Sequence, residues 1–325
     1  MIAFERRAST VLFNLLRSHE PEGPFLLPSN ICPIVPLTFF KAGRSIEFID
    51  IAPDSLCMDP QRVRERCGAT HLPAPAGIIY VRTYGAIFDS EALFSEVREA
   101  LPHALIVDDR CLCEPDFSGE LPLDVDVALY STGYAKFVDI GFGGVGVLRE
   151  GVPYERTVLD FEAADLSFAT DTYKRALATR TPFLYADSNW LETSAPDCSW
   201  PEFRSRVEHE RIRAKEHKRD INRVYASGLP RAIQFPHEFQ DWRFNIHLRD
   251  KPTALKAICA AGLFASGHYD SLDGVFGVAE CHQSHLVHKH VINLFNDRYF
   301  SIQRAEDLVD VLTRLDLLRP SELFE

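Results

Sequence analysis

The chain has 325 residues, 25% charged and 46% hydrophobic, the make-up of a soluble globular protein with apolar material for one large domain or two. Lys and Arg number 35 against 47 Asp and Glu, a net charge of −12 that argues against a nucleic-acid partner. No apolar run reaches the length of a membrane span, and the opening Met1-Ile2-Ala3-Phe4-Glu5-Arg6-Arg7 lacks the apolar core of a signal peptide, so a cytoplasmic protein without a membrane partner is expected.

In chain order, strands are predicted at residues 25–27, 46–50, 77–82, 104–108, 127–130 and 145–148. Asp59-Pro60 reads as an N-cap with proline at the first helical position. Asp89-Ser90-Glu91 opens a helix with Leu93, Phe94, Val97 and Leu101 on one face. The alternation predicts an α/β fold with a mainly parallel central sheet, and Ala104-Leu105-Ile106-Val107 is apolar throughout, as a strand covered on both faces should be. Ligands of such sheets gather beyond the carboxyl ends of the strands, where Arg82, Tyr84, Asp108 and Asp109 stand.

Residues 182–201 are irregular, which places a boundary near their end and divides the chain into 1–200, a large α/β domain, and 201–325, a small C-terminal α+β domain. Residues 202–226 read as a long charged helix, either a solvated connector or a phosphate-binding face. A strand at 244–248, a helix at 253–261 and a helix at 306–315 with Leu308, Val311, Leu312 and Leu315 on one face complete the second unit. The eight cysteines show no paired CxxC spacing and read as reduced thiols. Cys281-His282-Gln283-Ser284-His285-Leu286-Val287-His288-Lys289-His290 brings histidines to one helix face, but without an HExxH arrangement it is read as an ordinary helix, and no metal is expected.

The most informative stretch is Ser131-Thr132-Gly133-Tyr134-Ala135-Lys136, followed by Gly143-Gly144 and preceded by Asp109 at a strand end. With Leu27-Pro28-Ser29-Asn30-Ile31-Cys32, Phe48-Ile49-Asp50-Ile51, Val81-Arg82-Thr83-Tyr84-Gly85, Ile106-Val107-Asp108-Asp109, and His268-Tyr269 ahead of Asn293-Leu294-Phe295, the order resembles the DegT/DnrJ/EryC1/StrS family of pyridoxal phosphate-dependent enzymes, mostly sugar aminotransferases. The resemblance runs from about residue 8 to the end. It implies fold type I, a three-layer α/β/α large domain with a smaller C-terminal domain, and pyridoxal 5'-phosphate as cofactor. It further implies a homodimer with sites at the interface, an amino donor, and a keto acceptor such as a keto sugar nucleotide.

Carried over residue by residue, the resemblance makes Lys136 the Schiff-base lysine, held as an internal aldimine, and Asp109 the partner of the pyridinium nitrogen. Ser131, with Ser9 and Thr10 at the start of the first helix, would bind the phosphate, and Cys32 stands where the family places a ring-stacking aromatic. Tyr84, Arg82, Arg110, His268 and Tyr269 are substrate-pocket candidates; Arg110 is open between gripping a substrate carboxylate or phosphate and a salt bridge to Asp108 or Asp116. The chain departs from the family pattern at Cys32, Arg110 and Leu112, lacks the GxNxRm stretch after Gly144, and lacks the glycine at the Ser9-Thr10 turn. The alternatives to an aminotransferase are a lyase, decarboxylase or synthase on the same cofactor, and a non-catalytic family member.

Overall fold

The computed structural model describes residues 1–314 and 318–324. Seven strands, β1 (Ile2–Glu5), β2 (Phe25–Pro28), β3 (Ile46–Ile49), β4 (Gly77–Val81), β5 (Leu105–Asp109), β6 (Val127–Ser131) and β7 (Gly144–Leu148), form one sheet in the order β1-β7-β6-β5-β4-β2-β3. The run from β3 to β6 is parallel, whereas β7 returns antiparallel beside β6 and β1 closes the edge antiparallel to β7.

Alternation along the central strands sends successive side chains to opposite faces. Leu26, Ile78 and Ile106 pack on one side, against Val63 of α3 (Pro60–Cys67) and Leu93, Phe94 and Val97 of α4 (Glu91–Ala100). Leu27, Ile79, Val107 and Leu129 pack on the other, against Leu12, Leu15 and Leu16 of α1 (Ala8–Ser18) and Leu37 and Phe39 of α2 (Ile34–Lys41). Three layers follow from that alternation. Asp59 caps α3 by accepting from the Gln61 N–H at 2.8 Å, with Pro60 at the first position, as its sequence predicts.

Helix α5 (Ala163–Thr179), not among the predicted elements, rests on the large-sheet core through partly buried Leu166, Ala169, Tyr173 and Leu177, with Ala176 its one buried residue among those described. Helix α6 (Trp200–Gly228) is the predicted charged helix, yet it buries Phe203, Val207, Lys218, Ile221 and Tyr225. Beyond it, β8 (Phe244–His247), α7 (Lys251–Ala260), β9 (Ala265–Gly267), α8 (His282–His290), β10 (Val291–Leu294) and α9 (Ile302–Arg314) build a three-stranded antiparallel sheet with helices on it. Its core joins Ile221 and Tyr225 to Ile246, Ile292, Leu294, Leu308 and Leu312. Leu315, expected on the same face, lies outside the described residues. Leu272, Val275, Phe276 and Cys281, late in the chain, pack instead into the core of the large sheet. No helix among the described residues is long and apolar enough to cross a membrane.

Candidate active site

A cavity of about 230 Å³ opens at the carboxyl ends of the parallel strands. Asp109 ends β5 and Ser131 ends β6, which pair side by side, so both side chains arrive at the same rim. Lys136 comes from the loop between β6 and β7, and α1 points its N-terminus at the same place. Lys136, Asp109, Ser131, Ser9, Cys32, His268 and Tyr269 all line the cavity.

The loop carrying Lys136 is tied on both sides. Asp139 accepts from the N–H groups of Ala135 and Gly141 at 3.0 and 3.1 Å, and the indole N–H of Trp242 donates to the Ala135 carbonyl at 2.6 Å. Ala135 sits at φ 57°, a left-handed conformation that these contacts hold in place. The Gly143-Gly144 pair has a steric reason: a Cβ on Gly144 would stand 2.2 Å from Ala8 N and from Arg7 C, and Gly143 (φ 104°) packs against Phe203 and Thr132. Only bare glycine lets α1 start so close to β7.

Asp109 is 6% exposed, and one carboxylate oxygen accepts from the Cys111 N–H at 2.9 Å. Burial pushes its pKa up, opposed by the Cys111 hydrogen bonds and by the Lys136 ammonium. A cation placed in the cavity would favour its ionised form. His268 is buried and its Nε2–H donates to the Asn30 carbonyl at 3.1 Å, which leaves Nδ1 as an acceptor. Burial pushes its pKa down to about 3, so the ring is neutral.

Four of the residues singled out from the sequence are placed elsewhere. The Thr10 hydroxyl points away from the cavity and donates to the Glu192 carbonyl at 2.7 Å. Arg82 is 2% exposed and grips Asp108 with Nε and Nη2 at 2.7 and 3.2 Å, while Nη1 donates to the Phe88 carbonyl and Ser90. Arg110 donates to the same Asp108 at 2.7 Å and to the Tyr130 hydroxyl at 3.2 Å, so of its two readings the internal ion pair with Asp108 is the one formed. Tyr84 is fully buried at φ 57°, with its ring stacked on Trp242 at 6.2 Å and meeting His268 edge-on at 4.7 Å. It supports a cavity wall from behind. Three of the four histidines of α8 are likewise spent: His285 pairs with Asp273 at 2.9 Å, His288 donates to the His268 carbonyl and His290 to that of Leu248. Among the described residues, no cluster of three His, Cys, Asp or Glu side chains is arranged to hold a metal ion.

The structure also brings to the cavity residues that the sequence did not single out. Asn30 is 3% exposed, lines the cavity, and neither Nδ2 nor Oδ1 has a hydrogen-bond partner. A buried amide left in that state is costly unless a ligand meets it. Arg7, the residue before α1, also lines the cavity. Its signal was faint: an arginine stands where a helix usually has Ser, Thr, Asp or Asn.

No family model matches the chain, and no curated protein sequence does. Solved structures do. A DegT DnrJ EryC1 StrS aminotransferase from Brucella abortus superposes at a TM-score of 0.67 with 16% identity, over 96% of this chain and 85% of that one. DesI, solved in the presence of its TDP-sugar product, gives 0.69 at 16% identity over 98% and 81%. This is the fold of the DegT-type aminotransferases. The E. coli GDP-4-keto-6-deoxy-D-mannose-3-dehydratase with bound hydrated PLP shares it at 0.61 and 11% identity, over 96% and 87% of the two chains. In this fold the mainly parallel sheet that the sequence predicts is the scaffold, and its carboxyl-end cavity is the one described above.

Proposed function

We propose that the protein is a pyridoxal 5'-phosphate-dependent aminotransferase that moves an amino group from an amino acid to a keto acceptor. The observation that carries this reading is the convergence of Asp109, from the end of β5, with Ser131 and Lys136, from the end of β6 and the loop after it, on one cavity at the end of a parallel sheet. The cavity also fits the cofactor in shape and chemistry. Its walls, among them Ile31, Val81, Leu112 and Leu129, are apolar and suit a flat ring. Asn30 offers a buried amide without a partner. Also on the lining, the bare Cα of Gly133 leaves a corner that a Cβ would fill, 3.6 Å from Ser131 Oγ.

When bound, the cofactor supplies an electron sink that makes the Cα–H bond of an amino acid acidic. Asp109 would face the ring nitrogen and keep it protonated. Lys136 would hold the cofactor through its amine and, once displaced by the amino donor, carry the proton that leaves the substrate Cα. Ser131, Ser9 and the first N–H groups of α1 would receive the phosphate, since a helix N-terminus offers unpaired donors and a positive dipole end. Neutral His268 and the Asn30 amide would meet hydroxyl or carbonyl groups of the substrate.

A keto sugar nucleotide is the acceptor class we favour, on the likeness to DesI and its TDP-sugar product. We also propose a homodimer: Val158, Phe161, Phe168 and Leu184, on and around α5, are exposed apolar side chains that a second copy would cover. An absorption spectrum of the purified protein with added pyridoxal phosphate tests the central reading. A visible band that disappears in Lys136→Ala, and stoichiometric release of a keto acid from an amino donor, are expected. A protein that stays colourless and takes up no pyridoxal phosphate would overturn it. A band without keto acid release, but with another amino-acid product, would move the assignment to a lyase, decarboxylase or synthase.

A further inference from the structure

We propose that Arg7 is the cationic ligand of the cofactor phosphate, a role that rests on the pyridoxal phosphate reading above. Arg7 stands immediately before α1, whose first turn has no acidic residue and no side-chain cap. Its carbonyl accepts the Thr10 and Val11 N–H groups, so the Ala8 and Ser9 N–H groups lie ahead of the first helical bonds, at the cavity wall. A helix start alone would say little. The partnerless, buried amide of Asn30 in the same cavity is the independent sign that a polar ligand belongs there.

The guanidinium is held in position without being used up. Nη1 donates to the Gly141 carbonyl at 2.9 Å, and Nε lies 3.4 Å from Glu192. Glu192 gives its closer contact, 2.7 Å, to Arg6, so the Arg7 charge is only partly offset. Nη1 of Arg7 and Oγ of Ser131 lie 3.8 and 3.6 Å from the point where a Cβ on Gly133 would stand. Ser131 Oγ receives the Gly133 N–H at 3.4 Å, so its own proton is free to donate. An anion in that corner would meet the guanidinium fork, a hydroxyl and the start of a helix together.

Among the described residues no other arginine lines the cavity. Arg82 and Arg110 are both spent on Asp108, and among the described residues Lys136 is the one other cationic side chain lining the cavity, since His268 is neutral. The ligand chemistry selected is a phosphate monoester, which is dianionic above its second pKa of about 6. Pyridoxal without phosphate would gain nothing from Arg7.

The test is equilibrium uptake of pyridoxal phosphate and of pyridoxal by the full chain, followed by absorbance, in wild type, Arg7→Gln and Arg7→Lys, with thermal melts as a control on folding. Arg7→Gln is expected to weaken pyridoxal phosphate binding by about 10- to 100-fold and to leave pyridoxal binding within about two-fold, since a hydrogen bond to a charged group is lost. Arg7→Lys keeps the charge but not the fork and should recover part of the loss. Inorganic phosphate should compete with pyridoxal phosphate in wild type and more weakly in Arg7→Gln. Unchanged pyridoxal phosphate affinity in Arg7→Gln, or equal losses for both aldehydes, would overturn the assignment. If Arg7→Gln fails to fold, Arg7→Lys decides: a loss selective for the phosphorylated aldehyde supports the role, and no selectivity refutes it. A wild type that takes up neither aldehyde refutes the cofactor reading itself, and the role of Arg7 falls with it.

Discussion

Asp108 and Asp109 are neighbours on β5, both buried, and they end in opposite surroundings. Asp108 faces the side of α3 and α4 and is closed in by two arginines, Arg82 at 2.7 and 3.2 Å and Arg110 at 2.7 Å. Asp109 faces the side of α1, accepts one backbone N–H, and looks into the cavity that Lys136 enters. The pleat of the strand alone separates them. One carboxylate has its charge neutralised internally and is structural; the other keeps its capacity for an incoming cation.

That contrast can be broken most directly by removing each charge in turn. Asp108→Asn is expected to lower stability by about 3–5 kcal/mol, because buried Arg82 loses its counter-charge. The protein that remains folded should still turn over. Asp109→Asn should do the opposite, lowering turnover by about 10²- to 10⁴-fold while leaving the urea midpoint unchanged or raised, since a desolvated carboxylate is removed. Urea titrations and steady-state rates on both variants decide it. Equal losses in both measurements would erase the distinction between the two faces.

A smaller effect is expected at Arg110. Arg110→Leu leaves Arg82 on Asp108 and should cost about 1–3 kcal/mol, with pyridoxal phosphate affinity unchanged. Loss of an anionic substrate instead, read as a raised KM with kcat intact, would put Arg110 in the pocket after all.

The smallest effect sharpens the cavity side. His268 has a folded pKa of about 3, below an unfolded value of ~6.5. Its contribution to stability is therefore whole above the unfolded value and is lost as pH falls toward the folded one. His268→Gln should flatten the decline of the unfolding midpoint between about pH 7 and pH 5. An unchanged slope would show that the ring is solvated and not held by Asn30.

Much of the fold was legible because its signals are local. Continuous apolar runs marked the parallel strands, Asp59-Pro60 marked a helix start, and the spacing of Leu93, Phe94 and Val97 marked a buried face. Helix α5 was not: its contact face, Leu166, Ala169, Tyr173, Ala176 and Leu177, is only partly buried and is interrupted by exposed Phe168, which blurs the stripe. Lys136, Asp109 and Ser131, which the family resemblance singled out, line one cavity because their places at strand ends and in one turn are set by backbone geometry. Arg82, Arg110 and Thr10 share those places, but their hydrogen-bond partners, 2 to 182 residues away in the chain, fix where each side chain goes, and Tyr84 is placed by its ring contacts with Trp242 and His268.

By itself the sequence determined the order of elements, the mainly parallel sheet, and the end of it at which chemistry gathers, since these follow from apolar periodicity and chain direction. Only the tertiary structure decided which polar groups remain free. Asp108 consumes two arginines, the Glu192 carbonyl takes the Thr10 hydroxyl, Asp197 and Glu192 share Arg6, and the side-chain amide of Asn30 is left without a partner. Hydrogen-bonding capacity is shared across the whole fold, so what is left over at the cavity depends on every partner already taken.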